Sequence, residues 1–359
     1  MSAKIWNRAI LHLDMDAFYV NVHILDHPHD ANIPLVVGGR PDQRGVVTSA
    51  SYEARGFGVR SAMPTGHALR LCPQLKIVPA DWSRIHECSR QIMALLNPFG
   101  PVEKMSVDEA YIDLSAHDNP QAIALEIKSS VKTETALPCS VGLASNKLVA
   151  KIASDHDKPD GFTVIAPGCE AEFMSPLPTR AIWGIGPQTS KRLAAQGIQT
   201  CGQLAQADAR MLQKYLGRQA GDLVLRAQGI DNRPVQSSRG TAKSISQEWT
   251  FSKDIDNAIV LSKQLQKMCA KVAQSLQKKN LIAHTVTVKI RWTNFATITR
   301  QKSVSVGIDQ EEDIWQLANT LWRDNWHNDD PIRLLGVGVS NLEQAHVRQL
   351  GFDFGANDS

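Results

Sequence analysis

The sequence predicts an α+β fold spread over more than one domain, and three observations carry that prediction. Apolar strand-like segments alternate with helical ones as far as Pro167, and two of the strands bear acids within otherwise apolar runs. After Pro167 only short helices follow, broken at glycines. A small polar stretch at 235–241 then leads into a second mixed unit, and 359 residues suit two or three domains.

Taken in order, AILHLDMDAFYV opens as an apolar strand with Asp14 and Asp16 near its end. PLVVGG and GVVTSASYEARGFGVRSAM supply short strands and a helix punctuated by Gly and Pro, a small insertion. VEKMSVDEAYIDL repeats the design of the first strand. Val102, Met105 and Val107 lead into Asp108 and Glu109, and Ala110, Ile112 and Leu114 continue the apolar pattern. A carboxylate on a core strand is costly unless it is paired or meets a cation, so the two acidic strands are expected side by side. AIALEIKSSVKTET has helical period, CSVGLAS reads as a strand and NKLVAKIASDHDK as a helix, which gives a sheet expected to carry helices on one face.

From Glu170 to Gly229 the pattern is a compact helical domain. Beyond the linker come a strand around SISQEWTF, a helix from about Asn257 to Lys279, the strand HTVTVKIRW, another near ATITRQKSV, a helix in EEDIWQLANTLW and a strand LLGVGVSNL. In HTVTVKIRW, Val286, Val288, Ile290 and Trp292 share one face while Thr285, Thr287, Lys289 and Arg291 share the other, and that polar face suits phosphates.

Composition narrows the function classes. No apolar stretch approaches the ~18 residues a membrane helix needs, and the N-terminus meets carboxylates before any run of signal-peptide length, so a mature, membrane-free chain is expected. The six cysteines lie far apart with no C-x-x-C pair, which fits reduced thiols and a cytoplasmic location. There is no G-x-x-x-x-G-K-[ST] phosphate loop and no serine triad pattern. The net charge of +3 hides an asymmetry. Arg239–Lys302 holds 12 Lys/Arg against 3 Asp/Glu, a balance of +9, leaving −6 for the rest. A basic segment of that size suits a polyanion and an acidic remainder suits divalent cations; the competing reading is a solvated lysine-rich helix. Lys263, Lys267 and Lys271 fall opposite an apolar stripe, so for them the solvated face is the better reading.

The chemistry concentrates in few residues. Asp14, Asp108 and Glu109, with Asp16 as a fourth acid, offer hard oxygen ligands from two strands, as Mg²⁺ requires. Paired ions could then activate a hydroxyl and neutralise a leaving pyrophosphate, whereas isolated D-x-D acids serve equally well as turn or cap residues. Strand alternation leaves Asp16 on the face of Asp14 only if the strand stays regular. Tyr52 and Arg55, three apart, share a helix face just after Thr48 and Ser49, and with Lys158 they could grip triphosphate oxygens. HILDHPHD groups His23, His27 and His29 with Asp26 and Asp30, but Pro28 and the polar context favour an exposed turn over a metal site.

LDMDAFYV, TSASYEARGFGVRSAMP, MSVDEAYIDLS, VGLASNKLVAKIASDHDKPDG and WGIGPQTSKRL stand in the order and spacing of the Y-family DNA polymerases, and the chain resembles most their bacterial DNA polymerase IV (DinB) branch as far as about Asn341. The resemblance implies a palm at 1–18 and 81–169, fingers at 19–80, a helical thumb at 170–234, a linker at 235–242, a little finger at 243–343 and a tail at 344–359. It also implies low-fidelity, template-directed DNA synthesis past damaged bases, without proofreading. The family's catalytic acids fall on Asp14, Asp108 and Glu109, with the carbonyl of Met15 as a further metal ligand, for two Mg²⁺ ions that Mn²⁺ can replace. Phe18 and Tyr19 take the sugar-facing positions, Tyr19 as the gate against a ribose 2′-hydroxyl. Ser49, Tyr52, Arg55 and Lys158 match the triphosphate contacts, and Thr48 and Ala62 would roof the nascent pair. Where the family usually has Glu after the first motif, His23 stands here, which puts local packing in doubt rather than activity.

In the same way Gly184, Gly186, Lys191 and Arg192 resemble a thumb hairpin holding a DNA phosphate, and Lys289 and Arg291 would meet the duplex backbone. Gln349, Leu350, Phe352 and Phe354 resemble a sliding-clamp motif, the alternative being a frayed end. Partners are then primer-template DNA, deoxynucleoside triphosphates and a clamp, with a monomeric enzyme expected. Two rival readings are a catalytically silent accessory protein of the family, which the retained acids oppose, and a palm-like nucleotidyl cyclase, which has no use for the hairpin or the basic strand.

Overall fold

The computed structural model describes residues 6–238, 240–327 and 330–345. The chain forms two compact units, Met1–Arg40 with Gly45–Arg239, and Pro41–Arg44 with Gly240–Ser359. In the first, β1 (Ile10–Met15) and α1 (Phe18–Asp26) precede β2 (Leu35–Gly38), β3 (Val47–Ala50), α2 (Tyr52–Gly56), α3 (Thr65–Leu71) and β4 (Lys76–Val78). Then come α4 (Trp82–Leu96), β5 (Val102–Lys104), β6 (Glu109–Asp113), α5 (Pro120–Thr135), β7 (Cys139–Ala144), α6 (Lys147–His156) and β8 (Phe162–Val164). The short helices α7 (Glu170–Met174), α8 (Pro187–Ala194), α9 (Cys201–Ala205), α10 (Ala209–Leu216) and α11 (Ala220–Ala227) complete it.

β1 lies at the centre of a five-stranded sheet ordered β5-β6-β1-β7-β8, with β6 and β7 both antiparallel to it. The two acidic strands are therefore neighbours, as expected. The helices, however, cover both faces of this sheet, not one. Leu11, Leu13 and Met15 pack with Ile85 and Ile92 of α4 and Ile127 and Val131 of α5, whereas Ile10 packs on the opposite side with Leu148, Val149 and Ala153 of α6. His12 and Asp14 alternate with Ile10 on the α6 side, and their polarity disguises a covered face as an open one. Gly142 lets α6 lie directly on β7: a Cβ there would meet the Ala150 carbonyl oxygen at 2.1 Å and the Ser154 nitrogen at 2.4 Å.

β1 does not run on regularly. Ala17 takes a left-handed φ of 40°, which turns the chain straight into α1. The turn is held by hydrogen bonds from the Met15 N–H to the Asp108 carbonyl and from the Asp16 N–H to the Pro138 carbonyl, both 3.0 Å. The insertion folds as a three-stranded sheet, β3-β2-β4, over Ala54 and Ala68.

In the second unit β9 (Ser244–Ile255), α12 (Ala258–Lys278), β10 (Leu281–Trp292), β11 (Thr297–Ile308), α13 (Glu311–Arg323) and β12 (Ile332–Gln344) build an antiparallel sheet ordered β11-β10-β12-β9. Asn257 caps α12, its side-chain oxygen accepting from the N–H groups of Ile259 and Val260. Leu261, Leu265, Met268, Val272 and Leu276 of α12 bury their stripe against Val286, Val288 and Ile290 of β10. Fully burying such a side chain contributes roughly 1.5–3 kcal/mol, so this seam holds the helices to one face. Lys263, Lys267 and Lys271 stay exposed on the far side of α12, the solvated reading.

Candidate active site

Pairing of β1 with β6 sets Asp14 directly opposite Glu109, and pairing with β7 sets it opposite Ser140. Asp108 immediately precedes β6. Like charges directly opposite on antiparallel strands are destabilising by a few tenths to about 1 kcal/mol, so the fold alone gains nothing from this arrangement. Asp14 is 7% exposed, and burial pushes its carboxyl up to about 7, the nearby Lys158 ammonium opposing the rise and Glu109 adding to it. Each acid has a partner of its own. Lys158 Nζ lies 2.6 Å from Asp14 Oδ1, Lys151 Nζ lies 2.8 Å from Glu109 Oε1, and the Ser106 hydroxyl donates to Asp108.

Among the described residues no three His, Cys, Asp or Glu side chains converge closely enough to hold a metal ion. The donor set nevertheless fits a hard divalent cation, because carboxylates from adjacent strands gather where two lysine ammonium groups already balance their charge.

Asp14, Met15, Phe18, Tyr19, Ser49, Arg55, Asp108 and Lys158 line one cavity of about 250 Å³, with Thr48 and Ser61 among its other walls. The structure thus brings together most of the predicted site. Glu109 opens instead onto an adjoining space of about 280 Å³ beside Lys151 and Trp183. Tyr52 stands behind the first cavity, with the Arg55 guanidinium 4.4 Å above its ring, as their shared helix face requires. The edge of Tyr19 meets Trp82 at the start of α4, centroids 5.7 Å apart and planes at 72°, and burial together with the Asp108 charge raises its phenol above the ordinary range. Ala62, the second small residue expected over the pair, has a left-handed φ of 65° and donates its N–H to the Val47 carbonyl, 2.8 Å. Asp16 lines neither of these cavities; its carboxylate accepts instead from the Tyr52 and Ser140 hydroxyls.

The histidine cluster is a polar network gathered on Asp30. His23 Nε2 lies 2.8 Å from Asp30 Oδ2 and Lys76 Nζ 2.5 Å from Oδ1, and their hydrogen bonds hold the Asp30 carboxyl down at about 2. His23 also stacks on His27 at 4.2 Å, so the residue in the usual place of a Glu is fully engaged.

At the predicted hairpin Gly184 has a φ of 100°, Gly186 is the N-cap of α8, and Lys191 and Arg192 are exposed in its last turn. Trp183 beside them is 62% exposed. In the second unit Lys289 is not free: its Nζ lies 2.9 and 3.0 Å from the two oxygens of Glu248, while Arg291 Nε donates to Thr297 Oγ1, 2.9 Å. Thr285, expected on the open face, is buried and shares hydrogen bonds with Ser303 and Asn341. Gln349, Leu350, Phe352 and Phe354 lie outside the described residues. Sequence reasoning passed over Lys151, Ser106, Trp82 and Glu248. Only Lys151 had a local signal, a lysine four residues after Lys147 on the helix that follows β7.

Profiles of the impB/mucB/samB family match residues 13–155, those of its C-terminal domain residues 242–352, and a DNA polymerase-iota thumb profile residues 180–231. The chain is 40% identical over 347 residues to a DNA polymerase IV of Halorhodospira halophila, covering 95% of this chain and 97% of that one. It is 41% identical over 354 residues to a DNA polymerase IV of Methanoculleus marisnigri, covering 97% and 98%. Among solved structures it is similar to a Y-family DNA polymerase chimera of Dbh and Dpo4, 28% identical with a TM-score of 0.85 over 94% of this chain and 99% of that one. DinB of Sulfolobus solfataricus, 28% identical, matches with a TM-score of 0.63 over 92% and 98%. A central sheet with paired acids, a helical hairpin and a four-stranded C-terminal sheet, under profiles spanning most of the length, place the chain in the impB/mucB/samB family, the Y-family DNA polymerases, on the DNA polymerase IV branch.

Proposed function

We propose that this chain is a translesion DNA polymerase that adds deoxynucleotides to a primer 3′-hydroxyl with two Mg²⁺ ions, or Mn²⁺ in their place. The observation that carries the reading is the cross-strand pair Asp14 and Glu109 with Asp108 beside it, at the edge of a cavity whose other walls include Arg55 and Lys158.

Asp14, Asp108, Glu109 and the carbonyl of Met15 would hold the ions. When bound, divalent ions sharpen the attacking hydroxyl and neutralise the leaving pyrophosphate. The chain's own residues do the rest. Ser49, Tyr52, Arg55 and Lys158 form the triphosphate site, the Arg55 fork, the Ser49 hydroxyl and the Lys158 ammonium suiting its oxygens while the Tyr52 hydroxyl donates to Asp16 and its ring carries Arg55. Phe18 and Tyr19 face the sugar, with Tyr19 held upright by Trp82 so that a 2′-hydroxyl collides with its ring. Thr48 and Ala62 would roof the nascent pair, small side chains that leave room over the base, which supports tolerance of distorted templates.

Gly184, Gly186, Lys191 and Arg192 would hold a backbone phosphate, and Lys289 and Arg291 the duplex beyond, without reading sequence. Gln349, Leu350, Phe352 and Phe354 would dock on a sliding clamp. A monomer in the cytoplasm fits six free cysteines and the absence, among the described residues, of any helix long and apolar enough to cross a membrane. Primer extension tests the activity: synthesis templated across an abasic or bulky site with Mg²⁺ or Mn²⁺ is expected. No extension with either ion refutes it, and a cyclic product from a triphosphate without primer would make the chain a cyclase.

A further inference from the structure

Asp16 has no place among the metal-site acids, yet it is 1% exposed. A buried carboxylate persists only where its lone pairs are satisfied, and here they are. Oδ1 accepts from the Tyr52 hydroxyl at 3.1 Å and from Ser140 Oγ at 2.9 Å. Oδ2 accepts from the Asp160 N–H at 2.8 Å and lies 3.0 Å from the same Ser140 hydroxyl, which in turn accepts from the Gly161 N–H at 3.1 Å. Burial, with the Asp16 charge behind it, pushes the Tyr52 phenol up to about 12, so it remains a donor at any working pH.

These contacts join segments far apart in the chain. Tyr52 lies on α2 and carries Arg55 stacked on its ring, 4.4 Å away. Asp160 follows Lys158 by two residues, and its own side chain is tied down by Lys128 and Lys132 of α5. Ser140 sits on β7 opposite Asp14. One carboxylate thus braces Tyr52 and Arg55 on one side of the cavity and the loop of Lys158 on the other.

We infer that Asp16 is a positioning residue: it sets the spacing between the Tyr52–Arg55 pair and Lys158, and so the fit of the incoming nucleotide's triphosphate. The inference rests on the reading that those residues bind the triphosphate. Asp16→Asn discriminates well, because an amide can accept from Tyr52 and Ser140 through its one oxygen but presents an N–H to the N–H of Asp160. The Lys158 loop should then shift while the β1 core stays packed.

Single-turnover extension on primer-template separates nucleotide Kd from the chemical rate. In Asp16→Asn the Kd should rise about tenfold with a smaller loss of rate. Mn²⁺ affinity, measured by calorimetry on protein without nucleotide, should stay near that of the unmodified chain, unlike Asp14→Asn. Tyr52→Phe should raise the Kd by itself, and combined with Asp16→Asn should add less than its separate effect, because the two share one hydrogen bond. Ser140→Ala, should Asp16→Asn fail to fold, ought to raise the Kd in the same direction. An unchanged nucleotide Kd in folded Asp16→Asn or, in its place, Ser140→Ala overturns the inference, as does a fall in Mn²⁺ affinity matching that of Asp14→Asn. Those results would leave the polymerase reading standing so long as the unmodified chain extends primers; failure of that chain to extend would overturn both.

Discussion

The two large sheets of this protein use charge in opposite ways. The five-stranded sheet has helices on both faces, and one of its acids is enclosed: Asp14 is 7% exposed and its carboxyl is pushed up to about 7, mainly by burial. The four-stranded sheet has α12 and α13 on one face only, and Lys289, Arg291 and Glu248 sit on the other, in reach of solvent. An ion in a low-dielectric setting interacts several times more strongly than one at the surface. The covered sheet can therefore concentrate a local chemistry, while the open sheet can offer only a grip that salt weakens. Covering a face is what shifts the Asp14 carboxyl from its ordinary range.

The division breaks most visibly at Asp108. Asp108→Ala should lower extension by at least about 10³-fold, with primer-template affinity within a few-fold by fluorescence anisotropy. Loss of both together would mean that the covered sheet also supplies the grip. Tyr19→Ala should relax sugar selection by roughly tenfold or more, read as the ratio of ribonucleotide to deoxyribonucleotide incorporation, because a ring braced by Trp82 is replaced by open space. An unaltered ratio would move the gate elsewhere.

The raised Asp14 carboxyl sharpens the comparison through pH. Its proton must leave before a cation binds, so Mn²⁺ affinity by calorimetry should fall by up to about tenfold per unit as pH drops below 7. The sign for stability follows from the same shift. A carboxyl raised from 3.8 to about 7 in the folded state favours folding while both states are protonated, and that contribution is lost progressively as pH climbs from 3.8 to about 7. Without metal, the difference in thermal midpoint between the unmodified chain and Asp14→Asn should therefore move against the unmodified chain on going from pH 5 to 8, and added Mn²⁺ should reverse it. A pH-independent difference would show that the carboxylate is better solvated than its burial implies.

The smallest effect belongs to the open sheet. Glu248→Gln releases Lys289, so DNA binding should tighten and the slope of log K against log salt should steepen by about 1. No change in slope would mean that Lys289 does not meet phosphate.

Much of this could be read along the chain. The acids on β1 and β6 announced adjacent strands because a lone buried carboxylate is expensive, and Asp14 and Glu109 do face one another. Strand alternation correctly buried Val286, Val288 and Ile290, and helical period correctly exposed Lys263, Lys267 and Lys271. Misreadings arose where a partner comes from far away. Thr285 looked open because the alternation says nothing of Ser303 and Asn341, which reach it from neighbouring strands. The pairing of Lys289 with Glu248, which stands 41 residues earlier, is likewise invisible to the alternation. His12 and Asp14 made one face look bare because the period of β1 cannot register that α6 lies over it.

Local pattern, then, settled which segments become strand or helix and which residue types could do chemistry, since period and residue chemistry act over a few positions. Fold alone settled which face is covered, which lysine pairs with which acid, and that the Asp16 carboxylate accepts from Tyr52, Ser140 and the Asp160 N–H. Those outcomes depend on burial and on hydrogen bonds such as the 2.8 Å one between Asp160 and Asp16, 144 residues apart in the chain, and no short stretch of sequence contains both ends of such a bond.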